Sequence, residues 1–184
     1  RRALSSTIQR FTLVLPRYGL IPHGIGSLGL WAFARFRHFR RAGRVERSGL
    51  SSREFSVLMA TYGRDDAVHL EQALASLLEQ SLPASEVVLV EDGPIGDASR
   101  SVIEGHRARL NIQSVVMPRN VGLATALNAG LQHCRHEIVF RFDSDDVALP
   151  QRFASQMSAF ETVPQVDVMG SYAQEMDSAG TPGR

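Results

Sequence analysis

Residues 143–146 read Asp143-Ser144-Asp145-Asp146 and follow directly on the apolar run Ile138-Val139-Phe140-Arg141-Phe142. Three carboxylates in four residues repel one another, and like charges this close raise the pKa of at least one. A divalent cation with oxygen ligands relieves the conflict. Mg²⁺ and Mn²⁺ suit such a set, because each takes a few carboxylates and completes its shell with phosphate oxygens and water. If the chain stays extended, Asp143 and Asp145 point the same way. A capping or turn cluster ahead of a helix opened by Pro150 is the plainer reading, although a cap needs one Asp rather than three.

Three other apolar runs end in polar, Gly-bearing stretches. Phe55–Ala60 leads into Thr61-Tyr62-Gly63-Arg64-Asp65, and Glu86–Val90 leads into Glu91-Asp92-Gly93-Pro94. Ile112–Val116 leads into Pro118-Arg119-Asn120-Val121-Gly122. Each stretch alone is weak, because any α/β protein places loops at its strand ends. Together they give one edge of a sheet a set of polar, close-packing ends.

The elements that carry these ends follow from periodicity. Phe55–Ala60 and Glu137–Phe142 read as strands, as does the near-continuous apolar run Glu86–Val90, which suits burial on both faces. Ile112–Val116 is a further strand, and Val166–Gly170 a last one. Asp66–Leu82 has helical spacing, with Val68, Leu70, Ala73, Leu74, Leu77 and Leu78 on one side. Asp65 or Asp66 caps that helix, and Pro83 ends it. Further helices are expected over Ala98–Arg109, over Val121–His133 with Asn120 as cap, and from Pro150 to Phe160. The order β-α-β-α-β-α-β-α-β predicts an α/β fold, an open and mostly parallel sheet with helices on both faces. Ligands of such sheets bind at the carboxyl ends of the strands.

The bulk composition sets limits on the chemistry. The chain has 184 residues, 43% hydrophobic and 21% charged, enough for one domain with a core and an appendage. It contains no Lys, which excludes a Walker P-loop, a Schiff-base enzyme and a protein-kinase core in this stretch. Cys134 is the single cysteine, so neither an internal disulfide nor a Cys-rich zinc site can form. No run of about 18 apolar residues is present, so no spanning helix is expected.

The net charge of +1 conceals two opposite parts. Residues 1–53 hold 11 Arg against Glu46 alone, and residues 54–184 hold 9 Arg against 18 acids. A basic amino-terminal segment, 1–53, therefore precedes a main domain, 54–184. Within the segment a short helix is expected over Leu28–Arg41, where Phe33, Phe36 and Phe39 alternate with Arg35, Arg37, Arg40 and Arg41. Such a helix suits the surface of an anionic membrane. Packing against the main domain or a partner is the alternative. No recognised nucleic-acid motif accompanies the charge, so no nucleic-acid partner is expected.

Four stretches in order carry a resemblance. They are Val57-Leu58-Met59-Ala60-Thr61-Tyr62, Val88-Leu89-Val90-Glu91-Asp92-Gly93, Asn120-Val121-Gly122-Leu123-Ala124-Thr125-Ala126-Leu127-Asn128-Ala129-Gly130, and Phe142-Asp143-Ser144-Asp145-Asp146 with Pro150 and Arg152. Over Phe55–Ala179 the chain resembles the amino-terminal half of the family 2 glycosyltransferases, which have the GT-A fold, a Rossmann-like nucleotide-diphospho-sugar transferase architecture. The bacterial enzymes of exopolysaccharide, capsule or lipopolysaccharide assembly are the subgroup it looks most like.

The resemblance implies metal-dependent transfer of a sugar from a nucleoside-diphosphate sugar, a UDP-sugar first, to an acceptor hydroxyl with inversion. The acceptor would be a carbohydrate or lipid-linked. The place would be the cytoplasm, peripherally at the cytoplasmic face of the inner membrane. It also implies roles. Tyr62 would stack on the base, and Asp92 would accept a hydrogen bond from it, with Thr61 and Arg64 along the same pocket. Asn120 and Gly122 would approach the nucleotide from a helix start, although Asn120 serves equally as a plain cap. Asp145 would be the first metal ligand and Asp146 the second, with Mn²⁺ or Mg²⁺ as the ion. Asp143 would hold the ribose or sugar, or support the metal. Arg152 would contact phosphate, or be a plain surface arginine. The general base is expected in the family's second half; nothing places Glu175 or Asp177 in that role. The sequence is thus expected to be a fragment cut at both ends that binds donor and turns over slowly or not at all.

Other functions fit less well. A sugar-phosphate nucleotidyltransferase needs a Gly-rich basic loop after its first strand, and Thr61-Tyr62-Gly63-Arg64 is a poor substitute. An Asp-x-Asp phosphatase places its carboxylates after the first strand rather than the fourth. A calcium loop starting at Asp143 would need Gly where Ala148 stands. No G-x-G-x-x-G follows a strand, which disfavours a dinucleotide-dependent dehydrogenase. A catalytically inactive binding or scaffold domain stays open as the non-enzyme alternative.

Overall fold

The computed structural model describes residues 53–163 and 168–176. The expected helix over Leu28–Arg41 and its membrane contact lie outside the described residues. Eight elements alternate along the chain: β1 (Ser56–Tyr62), α1 (Ala67–Leu78), β2 (Glu86–Asp92), α2 (Asp97–Leu110), β3 (Ile112–Val116), α3 (Leu123–Leu131), β4 (Val139–Asp143) and α4 (Arg152–Thr162). The strands form one sheet in the order β3-β2-β1-β4. Every pair is parallel, with Leu58 beside both Val88 and Arg141, and Tyr62 beside Asp92.

Strand alternation sends successive side chains to opposite faces, and each face has its own core. Val57, Met59, Val87, Leu89, Phe140 and Phe142 pack with Leu70, Leu74 and Leu77 of α1, Ile103 of α2, and Phe153, Met157 and Phe160 of α4. Leu58, Ala60, Val88, Val90 and Val139 pack with Ala126, Leu127 and Leu131 of α3. Helices therefore cover both faces, which is why the inner strands read as nearly continuous apolar runs. Gly130 lets α3 approach the sheet closely, because a Cβ there would lie 2.5 Å from Val90 Cγ2 and 2.7 Å from Leu58 Cδ1.

Below the strand ends, Phe55, Phe140 and Phe153 form an aromatic cluster with ring centroids 4.7, 5.2 and 4.8 Å apart. Such pairs contribute about 0.5–1.5 kcal/mol each beyond the area they bury. They fix α4 against β4, and so fix both ends of the 144–151 loop that carries the acidic cluster. The loop's middle is tied to α1. Ser76 Oγ accepts from Ala148 N at 3.0 Å, and Gln80 Nε2 donates to Leu149 O at 2.8 Å. Ser81 N donates to Pro150 O at 2.7 Å.

These tethers bear on two departures from the sequence reading, at the end of α1 and the start of α4, and three others accompany them. Helix α1 is capped by Asp66, whose side chain accepts from Val68 N, but it ends at Leu78 rather than near Pro83. Gln80 and Ser81 leave the helical path to bind the 148–150 backbone. Pro150 does not open α4; it lies in a turn, and the helix begins at Arg152 with Gln151 at the cap. Asn120 does not cap α3. The helix starts at Leu123 with Gly122 at the cap position and no side-chain cap. The fourth strand starts later than the sequence suggests and takes in Asp143. Of the expected last strand, residues 168–170 are not in a strand, and 166–167 lie outside the described residues.

Candidate functional site

The chain leaves β1 for β2 on one side, whereas β4 pairs with β1 on the other. The carboxyl ends of β1 and β4 thus flank the point where strand order reverses, and open parallel sheets bind ligands there. The four polar ends predicted from sequence all lie along this edge.

At the end of β2 the Asp92 side chain is 4% exposed. One of its oxygens accepts from Val121 N at 2.7 Å and the other from Gly122 N at 3.0 Å. Asn120 Nδ2 donates to the Asp92 carbonyl at 3.4 Å. The two amides immediately ahead of α3 are thus engaged by a carboxylate from a neighbouring strand. Gly93 makes the contact possible: its φ is +88°, and a Cβ there would lie 2.6 Å from Asn120 N. Only glycine adopts that backbone without strain, and only glycine fits the gap. Gly63 plays the same steric part between the β1 and β2 ends, since its Cβ would meet Pro94 O at 2.7 Å.

Beside this assembly Tyr62 stands at the rim, 41% exposed, with Arg64 exposed two residues on. Thr61 points inward and is buried. Across the crevice, the Asp143 carboxylate, half-buried, pairs with the Arg141 guanidinium. The chain does not remain extended after Asp143. It turns, with Asp146 N donating to Asp143 O at 3.3 Å. Asp143 and Asp145 therefore do not share a strand face, contrary to the expectation from an extended chain. The turn leaves Asp145 exposed, Asp146 half-buried and Ser144 buried.

Arg152 is not a plain surface residue. Its guanidinium lies over the Phe142 ring, 5.1 Å from the centroid, and donates to Arg141 O at 3.4 Å. Burial pulls its pKa below the usual arginine value, against the opposing pull of Asp146 and Asp143. A cation so placed supplies fixed positive potential under the acidic turn.

Among the described residues, no three His, Cys, Asp or Glu side chains gather as a ready-made cation cage. The donor set is instead carboxylates on a turn at an open rim. That fits Mg²⁺ or Mn²⁺, which bind through one or two carboxylates and complete their coordination on substrate phosphates and water.

Three residues at this edge escape the sequence reading. The spacing marks Asp65 only as an alternative cap, yet its side chain binds Thr61, Tyr62 and Ser144. Arg141 reads in sequence as part of an apolar strand. Glu91, 3% exposed, has an Oε2 without a hydrogen bond among the described residues and lies 3.6 Å from Arg100 Nη1. The one available signal is a carboxylate four residues after Thr61 on a turn following a strand, a spacing that allows side-chain bonds back to the strand end.

The fold is an α/β sheet of the GT-A type with polar strand ends along one edge, and comparison with known proteins gives the family. The sequence model of "Glycosyl transferase family 2" matches residues 56–182. The chain belongs to the family 2 glycosyltransferases. It is 42% identical over 126 residues to the amylovoran biosynthesis glycosyltransferase AmsE of Erwinia amylovora, covering 68% of this chain and 47% of that protein. It is 36% identical over 124 residues to the UDP-Gal:alpha-D-GlcNAc-diphosphoundecaprenol beta-1,3-galactosyltransferase of Escherichia coli, covering 67% and 45%. The chain thus spans about half the length of the curated relatives it matches.

Among solved structures, TarS 1-349 of S. aureus in complex with UDP-GlcNAc aligns with a TM-score of 0.54 and 27% identity, over 59% of this chain and 31% of that one. The mannosyltransferase PcManGT of Pyrobaculum calidifontis, in complex with GDP-Man and Mn²⁺, aligns with a TM-score of 0.50 and 28% identity, over 60% and 32%. No helix among the described residues is long and apolar enough to cross a membrane.

Proposed function

We propose that residues 54–184 form the donor-binding unit of a glycosyltransferase that moves a sugar from a nucleoside diphosphate, UDP first, to an acceptor hydroxyl with inversion. The acceptor is a lipid-linked or growing saccharide of a cell-surface polysaccharide. The place of work is the cytoplasmic face of the membrane, where the basic segment 1–53 holds the protein peripherally. The observation that carries the reading is the meeting of Tyr62, the Asp92-bound turn and the Asp143–Asp146 turn on one edge of a family 2 sheet. The named relatives support the polysaccharide and lipid-linked context, and the two solved structures support nucleotide-sugar use.

In this reading Tyr62 stacks its exposed ring on the base. Thr61, Arg64 and Asp92 line the base pocket, with Asp92 accepting a hydrogen bond from the base. Asn120 and Gly122 bring the start of α3 toward the nucleotide, where helix amides favour negative charge. Asp143 holds the ribose or sugar, and Arg152 reinforces the potential that attracts phosphate. Asp145 and Asp146 would hold a divalent cation, Mn²⁺ or Mg²⁺, which when bound neutralises the charge developing on the diphosphate leaving group. The general base is proposed to belong to the part of the relatives' length that this chain does not span.

The test is calorimetric titration of UDP into the chain with and without Mn²⁺. Binding strengthened by the metal, and a strengthening lost in Asp145→Ala, is the expected result. UDP affinity indifferent to both metal and substitution would return the acidic cluster to a plain turn.

A further inference from the structure

We propose that Asp65 is a positioning residue that clamps the two halves of the donor site together; this rests on the donor-site reading above. Three hydrogen bonds converge on one of its oxygens. Asp65 Oδ2 accepts from Thr61 Oγ1 at 3.0 Å, from the backbone N of Tyr62 at 3.2 Å and from Ser144 Oγ at 2.8 Å. Two of these donors end β1, beside the proposed base-stacking ring. The third lies within the acidic turn after β4.

The plainer role, helix capping, is already filled. Asp66 takes the Val68 amide at 2.8 Å, so the Asp65 side chain is not needed at the start of α1. Its own backbone N donates to Tyr62 O at 3.0 Å, which closes the turn and aims the carboxylate back over the strand ends.

The clamp sits where the sheet stops holding itself. The β1–β4 ladder ends at the Ala60–Asp143 pair, while β1 runs on to Tyr62 alongside β2 alone. Past that last rung the ladder no longer fixes the acidic turn relative to Tyr62. The Asp65–Ser144 bond supplies that connection, through a charged acceptor that makes it stronger than a neutral pair. Thr61 and Ser144 are 1% and 8% exposed, so losing the acceptor would strand two buried hydroxyls. A donor spanning from base to diphosphate meets both halves at once, and their separation sets whether ring and carboxylates engage together.

Two readouts on the 184-residue chain test this. In the ligand-free chain, Asp65→Ala should speed hydrogen exchange at the Tyr62 amide and at residues 144–146, with the β2 amides unchanged. In titrations, the factor by which Mn²⁺ strengthens UDP binding should fall about tenfold in Asp65→Ala. It should fall in Ser144→Ala as well, with no further fall in the double variant, because both cut one link. Asp65→Asn, which keeps an acceptor oxygen, should retain most of the factor. A wild-type chain in which Mn²⁺ does not strengthen UDP binding would remove the donor reading alone, and hydrogen exchange would still test the clamp. Unchanged exchange at Tyr62 and 144–146 in Asp65→Ala would overturn it. If that variant melts early, Ser144→Ala takes its place, and unchanged exchange at residues 144–146 there would overturn the clamp equally.

Discussion

Replacing Asp92 by Asn keeps the shape of the side chain and changes what it can accept. The carboxylate gives one oxygen to Val121 N at 2.7 Å and the other to Gly122 N at 3.0 Å. An asparagine has one carbonyl oxygen, and its NH₂ group would face the second N–H donor to donor. A hydrogen bond to a charged group contributes about 1.5–3 kcal/mol, and a donor left unsatisfied costs about 1–3 kcal/mol when fully buried, less at the half-buried Val121 and Gly122 amides. The retained bond also loses its charge. These effects overlap at one site, so the expected loss of stability is about 2–3 kcal/mol. Against a domain stability of about 5–15 kcal/mol, that is a large share. Urea denaturation followed by circular dichroism should show a midpoint about 1–2 M lower with the slope unchanged. Hydrogen exchange should rise first at Val121 and Gly122. A stability within about 0.5 kcal/mol of wild type, with both amides still protected, would refute the assignment of Asp92 as the anchor of this turn.

Two further outcomes follow from the same physical picture. Burial pushes the Glu86 carboxyl upward, but Ser56 Oγ, Arg135 N and the Arg135 guanidinium outweigh it and hold its pKa below the usual 4.5. A carboxylate with a lowered folded pKa stabilises fully above its ordinary value and loses that contribution as pH falls through the folded one. Wild-type stability should therefore drop below about pH 4.5 more steeply than that of Glu86→Gln; parallel pH profiles would contradict this. The basic segment is tested by sedimentation with anionic liposomes. The whole chain should pellet and a version without residues 1–50 should not; equal pelleting of both would end the membrane proposal.

Element type is largely legible from the residues. Leu70, Leu74 and Leu77 at helical spacing, and the runs Val87–Val90 and Ile138–Phe142, mark α1, β2 and β4 by pattern alone. Element ends are less legible, because distant partners set them. The α1 helix stops at Leu78 because Gln80 and Ser81 are drawn to the 148–150 backbone. Asn120 reads as a cap in sequence, but Asp92, 28 residues earlier, takes the Val121 and Gly122 amides, and the helix starts only at Leu123.

Legible from the residues alone is the kind of chemistry: an acidic cluster after an apolar strand, a tyrosine after another, and an ordered set of stretches with a family resemblance. Those properties belong to residue types and local spacing, which survive without a fold. The use of each carboxylate, in contrast, follows from packing. Asp143 goes to Arg141, Asp92 to the Val121 and Gly122 amides ahead of α3, and Asp65 to the link between β1 and β4. A carboxylate's partner is whichever donor the packed sheet brings within about 3 Å, and parallel strands bring together residues far apart in the chain.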